Sequence, residues 1–212
     1  MEINIRNLSF KYAEKPLFEN LSLSFGEDGK PLVILGPSGS GKTTLLKLLA
    51  GLLKPHGGEI RFSTGETVPK TAFMFQEPRL LPWLSVLENV CLPLEKDFGR
   101  EDGRLRARHF LSLVGLTEKE DAYPLKLSGG EAQRVSIARA FAWPAPVLLM
   151  DEPFQSLDIP LRISLMDLTL QLLEKEKRLL VAVTHNPDEA VYMGGRIIIL
   201  GNPGEGIVKN EE

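Results

Sequence analysis

A glycine-rich segment near the start of the chain has the residue types and spacing of a phosphate-binding loop. The segment Gly36-Pro-Ser-Gly-Ser-Gly41-Lys42-Thr43 fits the pattern Gly-x-x-x-x-Gly-Lys-Ser/Thr, between a predicted strand and a predicted helix. Its glycines allow backbone N–H groups to turn toward an anion, and the following helix adds its positive end. Lys42 can neutralise the β- and γ-phosphates of a nucleoside triphosphate, and the Thr43 hydroxyl can bind Mg²⁺.

Other polar side chains with suitable chemistry come at the ends of three further apolar runs: Gln76, Asp151 with Glu152, and His185. Asp151 can hold Mg²⁺ through water, while Glu152 points to a different side and can polarise the water that attacks the γ-phosphate. His185 can donate a hydrogen bond to the γ-phosphate from the same edge. Together with the glycine-rich loop, these residues predict phosphoryl chemistry on a bound nucleotide.

The patterns of apolar residues predict the elements that would position these side chains. Two alternating stretches are typical of half-buried antiparallel strands: 3–8 and 21–25. Four continuous apolar runs predict parallel strands buried on both faces: 32–35, 71–75, 147–150 and 179–183. Predicted helices lie between them: 42–50, 105–114, 129–142 and 161–175. The carboxyl ends of parallel strands share one edge of a sheet, so we expect the polar groups to meet in one crevice.

Length and composition restrict the class of protein. The chain has 212 residues and a formal net charge of −3, which fits one large domain or two small ones without the basic surface of a nucleic-acid-binding protein. The sequence contains no run of 18 apolar residues and therefore predicts no membrane span. Its charged start does not resemble a secretory signal. The single cysteine, Cys91, excludes an internal disulfide framework and fits a reducing compartment.

A second glycine cluster opens the predicted helix 129–142. Ser128 and Glu131 have the spacing of a capping box, so the cluster can be read as a well-capped helix. Gly129 and Gly130, however, leave bare N–H groups at a helix N-terminus, which is a second anion site. The simplest way for one chain to use two phosphate-binding devices on one nucleotide is a head-to-tail dimer.

Taken together, these motifs resemble those of the nucleotide-binding subunits of ATP-binding cassette (ABC) transporters over nearly the whole chain. Each motif of the family has a match in this sequence: the phosphate loop at 36–43, the glutamine loop at Gln76, the signature at 127–131, the magnesium and catalytic strand at 147–152, the dimer-crossing loop at 156–158 and the switch histidine at His185. The resemblance implies these nucleotide-binding residues: Tyr12, Gly36, Pro37, Ser38, Gly39, Ser40, Gly41, Lys42, Thr43, Thr44, Ser128, Gly129, Gly130 and Asp158. It implies Glu152, His185 and Gln76 as catalytic residues and Thr43, Gln76 and Asp151 as magnesium ligands, with ATP and Mg²⁺ as cofactors.

The resemblance also implies an α/β fold: a P-loop NTPase (RecA-like) core with a mainly parallel sheet, an N-terminal antiparallel β subdomain and an inserted α-helical subdomain. One ATPase domain would span 1–212, with the core and β subdomain at about 1–84 and 140–212 and the helical signature subdomain at about 85–139. Gln76 would lie at a hinge, where its side chain can reach Mg²⁺ or the attacking water.

The partners that the resemblance implies are a transmembrane permease, a second copy of the chain and an extracytoplasmic substrate-binding protein, with no nucleic acid. The chain would lie in the cytoplasm against the inner face of the membrane. Residues 77–90, rich in proline and large apolar side chains, can form either a core-packing loop or a groove for a permease helix. This stretch resembles importers of the nitrate, sulfonate, taurine or pyrimidine-precursor type.

The chain departs from the family pattern at two places. Glu131 stands where the signature more often has Gln, which weakens the ATP dimer or is compensated locally. Gln155 and Ser156 replace smaller residues, with little expected loss of function.

Three other functions are alternatives to the transporter subunit. A soluble cassette ATPase of DNA repair or translation would need a long inserted arm, and only 91 residues separate Gly36 from Leu127. Intact Glu152 and His185 argue against a non-enzymatic nucleotide switch, and the signature argues against a phosphate-loop kinase.

Overall fold

The computed structural model describes residues 1–65, 68–155 and 157–211. Helices and strands follow one another in this order: β1 (Ile3–Tyr12), β2 (Lys15–Phe25), β3 (Leu32–Leu35), α1 (Lys42–Leu49), β4 (Gly57–Phe62), β5 (Thr71–Met74), α2 (Val86–Cys91), α3 (Glu95–Phe98), α4 (Arg100–Leu113), α5 (Gly129–Ala142), β6 (Val147–Asp151), α6 (Ile159–Glu176), β7 (Leu179–Val183), α7 (Pro187–Met193), β8 (Arg196–Leu200) and β9 (Ile207–Glu211). Short 3-10 turns at Thr117–Lys119 and Pro124–Lys126 precede α5.

The first of two compact units comprises residues 1–73, 146–152 and 173–212. Its antiparallel sheet has the strand order β2-β1-β4, which confirms the alternating strands predicted near the start of the chain. A six-stranded sheet has the order β5-β6-β7-β3-β8-β9. Within it β6, β7, β3 and β8 pair in parallel, and β9 pairs antiparallel with β8. This topology places the ends of β3, β6 and β7 at one edge, as predicted.

Burial along the strands follows their place in the sheet. Every residue of β6 and β7 is buried, which confirms the prediction that these strands are covered on both faces. The same prediction was wrong for β5, where burial alternates between half-buried and buried positions. The strand order explains the difference, since β5 lies at an edge of the sheet and not at its centre.

The second unit comprises residues 74–145 and 153–172 and is mostly helical. In it α5 packs against α2 and α4, around these buried side chains: Val86, Leu87, Val90, Phe110, Val135 and Phe141. The helical subdomain predicted from the sequence, about 85–139, is shorter than this unit, and its boundaries remain a prediction. In the described ranges of the chain, no helix has both the length and the apolar character needed to span a bilayer.

Candidate functional site

The loop between β3 and α1 folds around the amine of Lys42. This side chain is buried, and its Nζ donates hydrogen bonds to the carbonyl oxygens of Gly36 and Pro37 at 2.8 and 3.0 Å. Gly41 has a φ of 99°, and a Cβ there would lie 2.7 Å from Phe18 Cζ, so the loop needs glycine at this position. Among the described residues, no side chain caps α1 and no acidic residue lies in its first turn. Its first N–H groups are therefore available to an anion.

Two further side chains of this region also fit a bound nucleotide. Ser40 Oγ is buried and has no hydrogen-bond partner in the described part of the chain, a state that a ligand would relieve. Tyr12 is 53% exposed, and its ring packs edge-to-face on Phe10 with the centroids 4.9 Å apart. Its hydroxyl lies 3.3 Å from Thr44 Oγ1, which holds the ring beside α1.

The two oxygens predicted to bind Mg²⁺ meet at the end of β6. Thr43 Oγ1 donates a hydrogen bond to Asp151 Oδ1 at 2.9 Å, although 108 residues separate them. Asp151 is almost fully buried, and burial raises the pKa of its carboxyl above the ordinary value, with a smaller opposing effect from the Thr43 hydrogen bond. Hydroxyl and carboxylate oxygens are the ligands that Mg²⁺ takes, and a cation would offset the burial of this charge. The donor set therefore fits the predicted magnesium site.

Glu152 and His185 form a pair in the same unit. His185 Nδ1 lies 3.1 Å from Glu152 Oε2. Glu152 has a φ of 47°, and its N–H donates to the carbonyl oxygen of Val183 at 2.9 Å. A non-glycine residue seldom adopts this left-handed conformation, and residues held in it cluster at functional sites. The strained backbone turns the Glu152 side chain, which is 15% exposed, toward the half-exposed ring of His185.

Residues around His185 to which the sequence assigned no separate role fix the position of its loop. The buried Thr184 hydroxyl donates to Glu189 Oε2 at 2.6 Å and accepts from the Asn186 N–H at 3.1 Å. Asn186 in turn caps α7 by accepting from the Asp188 N–H at 2.9 Å. The spacing of Asn186 and Glu189 at a helix start was a signal that could have been read from the sequence.

In the second unit, the start of α5 has the predicted capping box. Ser128 Oγ accepts from the Glu131 N–H at 3.2 Å, and Glu131 Oε2 accepts from the Ser128 N–H at 2.8 Å. This backbone hydrogen bond lowers the pKa of the Glu131 carboxyl, and Lys119 Nζ lies 3.6 Å from Glu131 Oε1. The charge of Glu131 is thus compensated locally. A Cβ added to Gly129 would meet nothing within 4 Å, and one on Gly130 would make ordinary contacts.

Gln76 and Asp158 have partners within the second unit. Gln76 Nε2 donates to Gln155 Oε1 at 2.7 Å. Asp158 precedes α6, where its Oδ1 accepts from the Leu161 N–H at 3.0 Å and caps the helix. Ser156, predicted to belong to the dimer-crossing loop, lies outside the described residues.

Two further side chains of the second unit hold the segment that follows Gln76. Arg139 on α5 donates to the carbonyl oxygens of Pro78 and Arg79 at 2.6 and 3.1 Å, and its burial lowers the pKa of the guanidinium. The fully buried Asn89 on α2 makes its hydrogen bonds to the backbone of residues 81–85. The sequence places these residues in a predicted helix and a proline-rich loop and shows no separate role for either.

The predicted site residues thus form two groups. The first unit brings together the phosphate loop, Tyr12, Asp151, Glu152 and His185. The second unit contains the other predicted residues: Gln76, Ser128, Gly129, Gly130 and Asp158.

Comparison with known proteins agrees with this geometry. Residues 18–155 match the family model described as ABC transporter. The chain belongs to the ABC transporter family. Its fold is that of the family's ATPase domains: the ATP-binding cassette MJ0796, in a dimeric post-hydrolysis state bound to ADP and phosphate, superimposes with a TM-score of 0.89 at 33% identity, over 99% of this chain and 98% of that one.

Relatives of this ABC transporter chain are named as import ATP-binding proteins. The aliphatic sulfonates import ATP-binding protein SsuB 1 of Paracoccus denitrificans is 41% identical over 93% of this chain and 78% of its own length. The protein of the same name from Pseudomonas syringae pv. syringae is 42% identical over 95% of this chain and 81% of its own length. The predictions of an ATP-binding ATPase domain and of its fold class are confirmed.

Proposed function

We propose that this ABC transporter chain hydrolyses MgATP as the energy-supplying subunit of an importer. The observation that carries the proposal is the 2.9 Å contact between Thr43 Oγ1 and Asp151 Oδ1 beside the phosphate loop. This contact places the two oxygens that would hold the cation next to the loop that would hold the phosphates. The chain's membership of an ATPase family supports the reaction class.

The residues of the first unit divide the chemistry among them. Lys42 exchanges its two loop carbonyls for phosphate oxygens, and Thr43 and Asp151 hold Mg²⁺, which when bound neutralises charge on the phosphates. Glu152 accepts the proton of the attacking water. His185 contacts the Glu152 carboxylate through Nδ1, and in the form that carries a proton on both ring nitrogens its Nε2 can donate to the γ-phosphate. The enforced left-handed backbone at Glu152 supports a precise placement of its carboxylate.

Gln76 would link this chemistry to the second unit. The boundary between the two units falls after residue 73, three residues before Gln76. By the family resemblance Gln76 would reach the cation or the attacking water, and the γ-phosphate would then bias the position of the segment that Arg139 and Asn89 hold.

The second glycine cluster supports a head-to-tail ATP dimer. Nothing in the described residues requires glycine at Gly129, since a side chain there would meet open space. Bare N–H groups at a capped helix start suit close approach by a phosphate from outside the chain, where the Ser128 hydroxyl can donate to it as well. The similar cassette MJ0796 is a dimer.

The membrane partner would be an importer permease, which places this chain on the cytoplasmic face of the membrane beside it. The import names of the relatives support the direction of transport, and an extracytoplasmic substrate-binding protein would complete the system. The segment 79–85, which exposes 68% of Trp83, supports a surface for a permease helix. Co-purification of a multi-spanning subunit with the chain tests this part of the proposal.

The ATPase proposal is tested by phosphate release with MgATP. The wild-type chain should release phosphate, and Lys42→Ala should lose ATP binding together with turnover. Lys54→Ala, which removes an exposed lysine just after α1, is the matched control and should behave as wild type. Equal turnover by Lys42→Ala and the control would refute the assignment of the site.

A further inference from the structure

We propose that Glu189 is a positioning residue that holds His185 in place through the Thr184 hydroxyl, an inference that rests on the proposed role of His185 at the γ-phosphate. All three residues belong to the first unit. Thr184 Oγ1 donates a hydrogen bond to Glu189 Oε2 at 2.6 Å, and each of these two residues is 5% exposed. Glu189 is therefore a buried acidic residue that takes no direct part in the proposed chemistry, although it lies close to His185 in the sequence.

The Thr184 hydroxyl connects two partners, and Glu189 decides which way its proton points. A threonine hydroxyl has one proton to donate and lone pairs with which to accept. The N–H of Asn186 can only donate, and it does so to Thr184 Oγ1 at 3.1 Å. The hydroxyl proton is directed to Glu189, which accepts it. These two bonds close a turn over residues 184–186 that has His185 in its middle.

Backbone contacts before His185 tie the same turn to the segments that carry the other reacting groups. The Thr184 N–H donates to the carbonyl oxygen of Ile34 at 3.2 Å, just before the phosphate loop begins. The carbonyl oxygen of Val183 accepts from the Glu152 N–H at 2.9 Å. The backbone before His185 is thus fixed by neighbouring segments of the sheet, whereas the backbone after it is fixed by the Thr184 side chain. Only the second of these anchors depends on a side-chain acceptor.

The burial of Glu189 indicates a role beyond capping the helix. Asn186 already caps α7 by accepting from the Asp188 N–H at 2.9 Å. A carboxylate buried away from water costs free energy unless hydrogen bonds satisfy it. The 2.6 Å distance to Thr184 Oγ1 is in the range of charge-assisted hydrogen bonds, which are about twice as strong as neutral ones. Loss of this acceptor would free the Thr184 side chain to rotate and would release the backbone that follows His185.

The binding of nucleotides with and without a γ-phosphate tests the inference without relying on turnover. The probes are the non-hydrolysable ATP analogue adenylyl imidodiphosphate and ADP, each titrated with Mg²⁺ by isothermal titration calorimetry. Glu189→Ala should weaken binding of the analogue about two- to tenfold, the effect of one disturbed hydrogen bond. ADP binding should stay unchanged, because His185 would contact only the γ-phosphate. Thr184→Val removes the same hydrogen bond from its other end at nearly constant volume and should have the same effects.

Two variants and a second background separate the hydrogen bond from the folding of α7. Glu189→Gln keeps an acceptor oxygen at the same position and should retain near-normal affinity for the analogue. Val191→Ala, which shortens a 72% exposed side chain on the same helix, is the matched control and should change neither affinity. On a His185→Ala background, Glu189→Ala should cause no further loss, because no histidine remains to be positioned.

The outcomes distinguish this inference from the proposed role of His185. If His185→Ala weakens binding of the analogue relative to ADP and neither Glu189→Ala nor Thr184→Val does, Glu189 has no positioning role although that of His185 stands. An equal loss of affinity for both nucleotides would show a general loss of structure and would also overturn the inference, as would a loss from Glu189→Ala that persists without His185. If His185→Ala itself leaves the preference for the analogue unchanged, the proposed role of His185 and the inference fail together.

Discussion

Replacing Asn89 with alanine should destabilise the second unit by about 2–3 kcal/mol. Asn89 Nδ2 donates to the carbonyl oxygens of Leu81, Leu84 and Ser85 at 3.0–3.1 Å, and Asn89 Oδ1 accepts from the Leu81 N–H at 2.8 Å. Because the two N–H groups of the Asn89 amide are shared among three carbonyls, the side chain makes the equivalent of three hydrogen bonds, which contribute about 3 kcal/mol at about 1 kcal/mol each. The lower figure applies because residues 81–85 are partly exposed, so that water can replace some of these partners.

Urea unfolding followed by tryptophan fluorescence measures this loss in the appropriate unit. Both tryptophans, Trp83 and Trp143, belong to the second unit, so the signal reports on it alone. Asn202→Ala, in the exposed turn between β8 and β9, is the matched control and should leave the transition unchanged. A loss below about 1 kcal/mol for Asn89→Ala would refute the reasoning that this side chain organises residues 81–85.

Three further predictions concern single positions. Gly58→Ala should lower the free energy of unfolding by more than about 1 kcal/mol, measured by thermal denaturation, because φ is +74° and a Cβ would lie 2.3 Å from the Asn7 carbonyl oxygen. Glu131→Gln should keep phosphate release within about twofold of wild type, since glutamine preserves the capping box; a larger change would show that the carboxylate acts on the nucleotide. Arg108→Ala removes the hydrogen bonds that lower the pKa of the Glu120 carboxyl, so its destabilisation should be present at neutral pH and shrink as pH falls below 4.5, the ordinary pKa; a constant shift in the melting temperature across that range would contradict it.

Much of the first unit could be predicted from the sequence because its signals are local. Continuous apolar runs predicted β3, β6 and β7, and the polar residues that follow these strands do lie at one sheet edge. The glycine pattern and the aspartate of β6 predicted Thr43 and Asp151 as ligands of one magnesium ion, and their oxygens lie 2.9 Å apart. The capping box of Ser128 and Glu131 was likewise visible as a four-residue pattern.

The remaining features depend on contacts between distant segments. No local pattern shows that Gln155 would meet Gln76, or that Asn89 would bind the backbone of residues 81–85. The edge position of β5 was missed because an apolar run does not reveal strand order. Lys119, which compensates Glu131, lies twelve residues away from it in a 3-10 turn that carried no sequence signal.

The most direct test of the central claim is ATP turnover by Glu152→Gln, in which the carboxylate that would accept the proton becomes an amide of the same size. The proposed chemistry predicts that this variant binds MgATP, accumulates as a dimer on size-exclusion chromatography and releases no phosphate above background. Wild-type turnover by Glu152→Gln would contradict the assignment of Glu152 as the base.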